Sequence, residues 1–146
     1  MLALKSGFGL PGMRVLQFAF DGDPANAHLS YLHEHDCVAY TGTHDNDTTL
    51  GWYASLDRDT AQRVDYFLRV GPGAMPEALI RAALGSVARL AIIPAQDILG
   101  LDSSARLNTP GTVEGNWTWR LPAGALTAQL ARDYARLNGA FGRAPA

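Results

Sequence analysis

Three short runs of apolar residues interrupt an otherwise mixed sequence, and polar or turn-forming residues follow each of them. The runs are Arg14–Phe20, Cys37–Thr43 and Leu90–Pro94. Successive residues within them are apolar rather than alternating with polar ones, which is typical of β-strands that are covered on both faces. The pattern therefore predicts three strands of the kind found in parallel sheets.

Apolar residues at helical spacing fill the intervals between these runs. They predict helices over Asp59–Val70, with Asp57 or Asp59 as the N-cap, and over Pro76–Arg89, which opens with proline. A third helix is predicted over Ala125–Leu137, and Gly139 is expected to end it. One stripe of large apolar residues on this helix is expected to face the core. It consists of Leu126, Leu130, Tyr134 and Leu137.

Strands separated by helices are typical of parallel β/α architecture, so the predicted fold class is α/β. A closed barrel of this kind has eight strands and about 250 residues, whereas this chain has 146 residues. An open sheet of three strands would leave apolar edges unpaired. Either further strands escape detection or the chain is part of a larger arrangement.

Composition places the chain among globular proteins and excludes several functional classes. Apolar residues make up 47% and charged residues 18% of the chain, which suits one domain with its own core. The formal charge of −2, without a basic cluster, argues against nucleic acids or anionic membranes as partners. No apolar run approaches the roughly 20 residues that span a bilayer, and the N-terminus does not match a signal peptide. A single cysteine, Cys37, rules out an internal disulfide, so we expect a cytoplasmic protein with Cys37 in its core.

The most informative segment is the polar cluster that follows the second apolar run. Tyr40–Gly51 has the sequence YTGTHDNDTTLG, with His44 and Asp45 at the tip of the predicted strand. In parallel β/α proteins the loops at the carboxyl ends of the strands carry the functional site, which favours a functional role for both residues. For Asp47–Thr49, capping of the next helix is an equally good explanation.

Histidines and carboxylates are dense enough along the chain to raise the question of a metal site. The group comprises His28, His33, Glu34, His35, Asp36, His44, Asp45 and Asp47. However, His33 and His35 alternate and would point to opposite faces of a strand, and the i, i+4 pair of a helical metal site is missing. The sequence therefore predicts neither a metal ligand nor a cofactor.

Four segments of the chain occur in the same order in one enzyme family. They are GLPGMRVLQFAFDGD (Gly9–Asp23), YTGTHDNDTTLGW (Tyr40–Trp52), IIPAQDILGL (Ile92–Leu101) and RLNTPGTVEGNWTWRL (Arg106–Leu121). These motifs closely resemble the amylomaltases, the bacterial 4-α-glucanotransferases or disproportionating enzymes of glycoside hydrolase family 77. The resemblance extends from about Leu2 to Arg143 and covers nearly the whole chain.

This resemblance implies a (β/α)8 TIM barrel, of which the chain would supply roughly the last three β/α units. Residues 1–146 would form a C-terminal fragment of the catalytic barrel without a second domain, and Met1 would fall in the helix before the segment that starts at Gly9. The family transfers α-1,4-glucan segments between maltooligosaccharides by a retaining mechanism. A carboxylate nucleophile and a carboxylic acid that protonates the leaving oxygen carry out this chemistry. The implied partners are α-1,4-glucans and the missing N-terminal portion of the barrel.

The resemblance also implies roles for individual residues. Asp45 would be the family's third carboxylate, which accepts hydrogen bonds from the 2- and 3-hydroxyls of the sugar at the cleavage point. His44 would donate to a hydroxyl of the same sugar. Further candidates for substrate binding are Phe20, Asp21, Asn108 and Trp117. The alternative for these four is structural, with packing for the aromatic residues and turn formation for the polar ones.

The family motifs that supply the nucleophile and the acid/base residue are absent from the chain. Its three glutamates, Glu34, Glu77 and Glu114, do not match the acid/base pattern. We therefore expect no disproportionation by the chain alone, because removing one catalytic group costs orders of magnitude in rate. The alternative is a non-catalytic remnant, or a subunit that binds glucans weakly and completes a barrel with a separate N-terminal chain.

Overall fold

Three parallel strands form one sheet with the second strand at its centre. The computed structural model describes residues 7–71 and 73–143, so Met1 and the helix expected around it lie outside the described residues. Within those residues the strands are β1 (Gly12–Val15), β2 (Cys37–Tyr40) and β3 (Leu90–Ile92), in the order β1-β2-β3. Both pairs are parallel, as predicted.

Each strand is shorter than the apolar run that predicts it. The first run predicts a strand to Phe20, but β1 ends at Val15 and a 3-10 turn follows over Leu16–Phe18. The backbone N–H of Ala19 donates to the carbonyl of Leu16 at 3.0 Å, which closes this turn and directs Leu16 and Phe20 into the core. The other two strands also end before the predicted residues 43 and 94, because the chain leaves the sheet for its loops there.

Five α-helices accompany the sheet within the part of the chain that the structure describes. They are α1 (Thr49–Ser55), α2 (Arg58–Leu68), α3 (Glu77–Leu84), α4 (Ala95–Ile98) and α5 (Ala128–Ala140). The first three connect β2 to β3 and provide the crossover that a parallel pair requires. None of the described helices has the length and apolar character needed to cross a membrane.

The bounds of α2 and α3 follow from their capping residues and their environment. α2 confirms the helix predicted over residues 59–70 and takes Asp57 as its N-cap, whose Oδ1 accepts the N–H groups of Asp59 (3.0 Å) and Thr60 (2.9 Å). α3 ends at Leu84, five residues before the predicted residue 89. Val87, which the predicted range placed inside the helix, follows it instead and is 61% exposed.

α5 lies three residues further along the chain than predicted at both ends. Thr127 caps it, with its Oγ1 accepting the N–H of Leu130 at 3.1 Å. Gly139 does not end the helix but lies inside it, whereas Gly142 adopts the left-handed conformation after the helix with a φ of 66°. The stripe expected to face the core is only half-buried, and Leu126, ahead of the helix, is 55% exposed.

The main core lies between α2, α3 and the segment that follows β1. Its buried members are Leu16, Ala19, Phe20, Leu29, Val64, Met75, Ala78, Leu79 and Ala83. A second cluster joins Cys37 and Ala39 of β2 to Ala88, and the predicted core position of Cys37 is therefore confirmed. These clusters anchor β2, whose carboxyl end leads into the polar segment.

Part of the opposite face of the sheet is open to solvent within the described residues. The register places Met13 beside Val38 and Val38 beside Leu90, so these side chains share one face with Ile92. Met13, Leu90 and Ile92 are 56%, 49% and 41% exposed. The expectation that the strands are covered on both faces is therefore wrong at these three positions, although Val15 on the same face is buried. The three exposed side chains form an apolar surface beside the strand ends.

Candidate functional site

The polar segment after β2 folds into a tight turn that presents two adjacent side chains to solvent. Asn46 makes the turn, because its Oδ1 accepts the backbone N–H and the hydroxyl of Thr43, both at 2.9 Å. The N–H of Asn46 donates in return to the carbonyl of Thr43 at 3.1 Å. His44 and Asp45, between them, have side chains that are 56% and 51% exposed.

The next residues of the segment hold the backbone in place. The carboxylate of Asp47 accepts the N–H of Thr48 (2.7 Å) and the hydroxyl of Ser103 (2.7 Å), and its side chain is only 19% exposed. Thr48 caps α1 by accepting the N–H of Gly51 at 3.1 Å. The side-chain amide of Gln17 donates to the carbonyl of Asp47 at 3.0 Å. Asp47 and Thr48 thus make the capping and structural contacts that the sequence left as an alternative.

A distant segment, which begins after the 3-10 turn Ser103–Ala105, completes the surroundings of Asp45. The side-chain amide of Asn108 donates to Asp45 Oδ1 at 2.6 Å. The Arg106 guanidinium donates to the carbonyls of Asp45 (2.8 Å) and Asn108 (2.9 Å) and so joins the two segments. These contacts bring an amide donor to the exposed carboxylate of Asp45, while the Arg106 guanidinium binds the Asp45 backbone and lies 4.0 Å from Asp47 Oδ2.

Trp117 adds an aromatic ring to the same place. Its backbone has a φ of 62°, a left-handed conformation that is costly for a bulky residue, and its N–H donates to the carbonyl of Leu107 at 2.7 Å. The ring lies 5.3 Å from that of His44 between centroids and is half exposed. His44 Nε2 in turn lies 3.4 Å from Asp45 Oδ1. The structure thus brings four of the six sequence-predicted site residues together.

The other two candidates, Phe20 and Asp21, lie elsewhere. Phe20 is 6% exposed and packs in the main core. Its ring centroid lies 5.6 Å from that of Phe67 and 5.8 Å from that of Trp52. Asp21 Oδ1 accepts the N–H of Asp23 at 3.0 Å, and this hydrogen bond lowers the pKa of the Asp21 carboxyl. Both positions match the structural alternative, with packing for Phe20 and turn formation for Asp21.

The groove that contains Asp45 has a volume of about 620 Å³ and identifies two residues that sequence reasoning missed, Phe18 and Arg106. Phe18 is 54% exposed and lines the groove, whereas Phe20 does not. A strand through this region would place both rings on one face, so only the 3-10 turn separates them. Arg106 opens one of the four motifs, but nothing in the sequence links it to a loop some 60 residues away.

The arrangement is suited to binding neutral hydroxyl groups. Asp45 Oδ1 is engaged by Asn108, while Asp45 Oδ2 accepts no hydrogen bond from the residues that the structure describes. An ionised carboxylate accepts strongly from hydroxyl donors, and an aromatic ring beside it offers a flat apolar surface. Cleavage of a glycosidic bond would need a second available carboxylate, but Asp47 is already held by its hydrogen bonds.

The histidines and carboxylates considered for a metal do not assemble into such a site. No group of three or more His, Cys, Asp or Glu side chains in the described ranges could hold a metal ion. His28 Nδ1 accepts the N–H of Val15 at 2.9 Å, and His33 Nε2 lies 3.0 Å from the carbonyl of His28. Both side chains therefore make hydrogen bonds within the fold.

Comparison with known sequences identifies one family. Residues 1–127 match the family model of glycoside hydrolase family 77, described as 4-alpha-glucanotransferase. The chain is 49% identical over 140 residues to the chloroplastic/amyloplastic 4-alpha-glucanotransferase of Oryza sativa, covering 95% of this chain and 24% of that protein. It is 47% identical over 135 residues to the 4-alpha-glucanotransferase of Thermus thermophilus, covering 87% of this chain and 27% of that protein. It thus spans about a quarter of the length of these curated relatives.

The solved structures give the same result for the fold. The amylomaltase from Streptococcus agalactiae in complex with acarbose superposes with a TM-score of 0.90 and 29% identity, covering 98% of this chain and 29% of that one. This likeness defines the class as a parallel α/β fold consistent with part of a barrel, and the predicted fold class is confirmed. The chain belongs to the 4-alpha-glucanotransferase family, glycoside hydrolase family 77.

Proposed function

We propose that this chain supplies a sugar-binding carboxylate of a 4-α-glucanotransferase, with Asp45 as the residue that contacts the glucan. The observation that carries the proposal is the meeting of a half-exposed carboxylate with Asn108, His44 and Trp117 at the carboxyl end of β2. The family membership gives the ligand class, because relatives of this chain are 4-alpha-glucanotransferases.

The geometry suggests how one glucosyl unit would be held. Neighbouring hydroxyls of the ring would donate to the Asp45 carboxylate, chiefly to Oδ2, while Asn108 keeps Oδ1 in place. Such bonds strengthen as the ring gains positive charge during bond cleavage, so they favour the transition state over the bound substrate. His44 would donate to a further hydroxyl, and the exposed ring of Trp117 would pack on the apolar face of a sugar.

We assign neither a nucleophile nor an acid/base residue within this chain. Asp47 is bound by Ser103 and Thr48, and Glu77 pairs with Arg81 at 2.7 Å on α3. The chain alone should therefore produce no glucose and no longer oligomers from maltotriose, as measured by chromatography of the products. Robust turnover by the pure chain would overturn this part of the proposal.

Sugar binding is tested separately by titrating the isotope-labelled chain with maltoheptaose and following backbone amide resonances. Asp45→Asn should lower the affinity about tenfold or more, because it removes a charged acceptor. Asp133→Asn is the matched control, since the Asp133 side chain on α5 has the same exposed fraction of 51%. Equal affinity of Asp45→Asn and the unmodified chain would contradict the role of Asp45.

A second candidate function is completion of a barrel with a separate polypeptide. The open apolar face of the sheet, with Met13, Leu90 and Ile92 exposed, favours it. Mixing the chain with the N-terminal portion of the Thermus thermophilus relative should then produce a complex that transfers glucan segments. If the mixture neither associates on gel filtration nor gains activity, the chain acts at most as a glucan-binding remnant.

A further inference from the structure

A buried carboxylate lies directly beneath the loop that carries the sugar-binding residues. Asp97, in α4, is 2% exposed and accepts three hydrogen bonds. Its Oδ1 accepts the backbone N–H of Thr49 at 2.7 Å, and its Oδ2 accepts the hydroxyls of Thr49 (2.8 Å) and Thr41 (2.5 Å). A buried charge is costly unless it is fully hydrogen-bonded, so these donors are part of what makes Asp97 tolerable in the interior.

The two donor residues stand at opposite ends of the loop. Thr41 is the first residue after β2, and Thr49 is the first residue of α1. Both are fully buried, and the loop residues between them include His44 and Asp45. One carboxylate thus fixes the beginning and the end of the segment that presents the exposed carboxylate.

Gln96, the residue before Asp97, contacts the second segment of the site, which carries Arg106 and Asn108. The side-chain amide of Gln96 donates to the carbonyl of Ala105 at 3.2 Å, immediately before Arg106. Arg106 and Asn108 then contact Asp45. Adjacent residues on α4 therefore anchor both segments that meet at Asp45.

We propose that Asp97, assisted by Gln96, is a positioning residue that sets the distance between Asp45 and Asn108. The proposal rests on the proposed function of Asp45 in binding the glucan. Asp97 is 2% exposed and does not line the groove that contains Asp45, but it borders a neighbouring pocket together with Gln96 and His44. Its proposed effect on the sugar runs through the hydrogen bonds by which it holds the loop. Loss of its hydrogen bonds releases both loop ends and weakens the Asn108–Asp45 contact.

The test compares Asp97→Ala, Asp97→Asn, Thr41→Val and Gln96→Ala in the 146-residue chain. Maltoheptaose affinity is measured by titration, and the side-chain amide resonance of Asn108 reports its contact with Asp45 without any ligand. Asp97→Ala should lower affinity about tenfold and shift that resonance, because it removes several charge-assisted hydrogen bonds at once. Asp97→Asn keeps an acceptor for the Thr49 N–H and should recover part of both losses.

Asp57→Ala is the control for simple destabilisation, because it removes the N-cap of α2 without touching the loop. It should leave both the affinity and the Asn108 resonance unchanged. If Asp97→Ala does not fold, Thr41→Val and Gln96→Ala carry the test, each with a loss of about two- to fivefold expected for a single hydrogen bond.

The outcomes distinguish failure of the positioning role of Asp97 from failure of the proposed sugar binding by Asp45. Failure of the unmodified chain to bind maltoheptaose would contradict the sugar-binding proposal, while the Asn108 resonance would still decide whether Asp97 positions the site. Normal affinity and an unmoved Asn108 resonance in folded Asp97→Ala would overturn the positioning role. If Asp57→Ala moves the resonance as much as Asp97→Ala does, the positioning role is likewise overturned.

Discussion

Gly51 lies where α1 passes under the 103–117 segment. Its surroundings predict that a larger side chain at this position would displace that segment. A Cβ atom at this position would overlap the hydroxyl oxygen of Ser103 and lie 2.7 Å from Asp47 Oδ1. Those two side chains are hydrogen-bonded to each other at 2.7 Å. Gly51→Ala should therefore push Ser103 away from Asp47 and loosen the segment that delivers Asn108 to the site.

The expected magnitude follows from three contributions. Overpacking of this kind costs about 1–3 kcal/mol. The lost Ser103–Asp47 hydrogen bond adds about 1 kcal/mol, since it is near the surface. Alanine is favoured over glycine inside a helix by about 1 kcal/mol, which offsets part of the cost. The net expectation is a loss of about 1–3 kcal/mol in the free energy of unfolding.

The assay is urea denaturation followed by tryptophan fluorescence and circular dichroism. Gly139→Ala is the matched control, because Gly139 also lies inside a helix but a Cβ atom added there would meet open space. It should stabilise the chain by up to about 1 kcal/mol. In the Ser103→Ala background, Gly51→Ala should cost at least about 1 kcal/mol less than it does alone. Additive effects of Gly51→Ala and Ser103→Ala on the free energy of unfolding would refute the close approach of Ser103 to Gly51. A Gly51→Ala chain as stable as the original would refute it as well.

Three further perturbations have defined outcomes. Leu79→Ala should lower the free energy of unfolding by about 2–5 kcal/mol in the same assay, because Leu79 is fully buried; a loss as small as that of exposed Val87→Ala would contradict this. Burial, followed by the charge of Arg14, lowers the pKa of His28 below its ordinary value of 6.5. The stability contributed by the neutral imidazole is therefore complete above pH 6.5, and it is lost as the pH falls from 6.5 through the lowered pKa of the folded state. The urea concentration at the unfolding midpoint should therefore be lower at about pH 5.5 than at about pH 7.5, and His28→Gln should reduce this difference. An equal pH dependence of the midpoint in the two proteins would count against the role of His28. Thr127→Ala should cost about 1 kcal/mol through loss of the α5 cap, and an unchanged midpoint would show that the cap contributes nothing.

The sequence predicts the elements of this fold better than it predicts their ends. Apolar runs locate all three described strands because burial in a parallel sheet leaves a continuous signal. The same runs overshoot, since Leu16 and Phe20 are buried by a 3-10 turn rather than by the strand. Gly139 misleads because it lies inside α5, and the left-handed conformation that follows this helix is taken by Gly142 instead.

The candidate site also has parts that the sequence predicts and parts that it does not. The place of His44 and Asp45 in the loop after β2 can be predicted, because position after a buried strand is a local property of the sequence. Phe18 cannot be told from Phe20 without knowing where β1 ends. Arg106 reaches Asp45 through a hydrogen bond that joins distant segments, and no periodicity or motif spacing contains that information.

Under the proposed role of Asp45, sugar binding should be separable from catalysis, because the described contacts of Asp45 are made by residues of this chain. Asn108, Arg106 and Trp117 reach Asp45 and its neighbour His44 by contacts among described residues. The apolar surface of the sheet, with Met13, Leu90 and Ile92 exposed, lies on the strands rather than on the loops above them. In the proposed barrel, a polypeptide that covers this face would supply the groups for bond cleavage, and the loop that carries Asp45 would already be held by Asp97. We therefore expect weak glucan binding by the chain alone and transfer only after association, in that order.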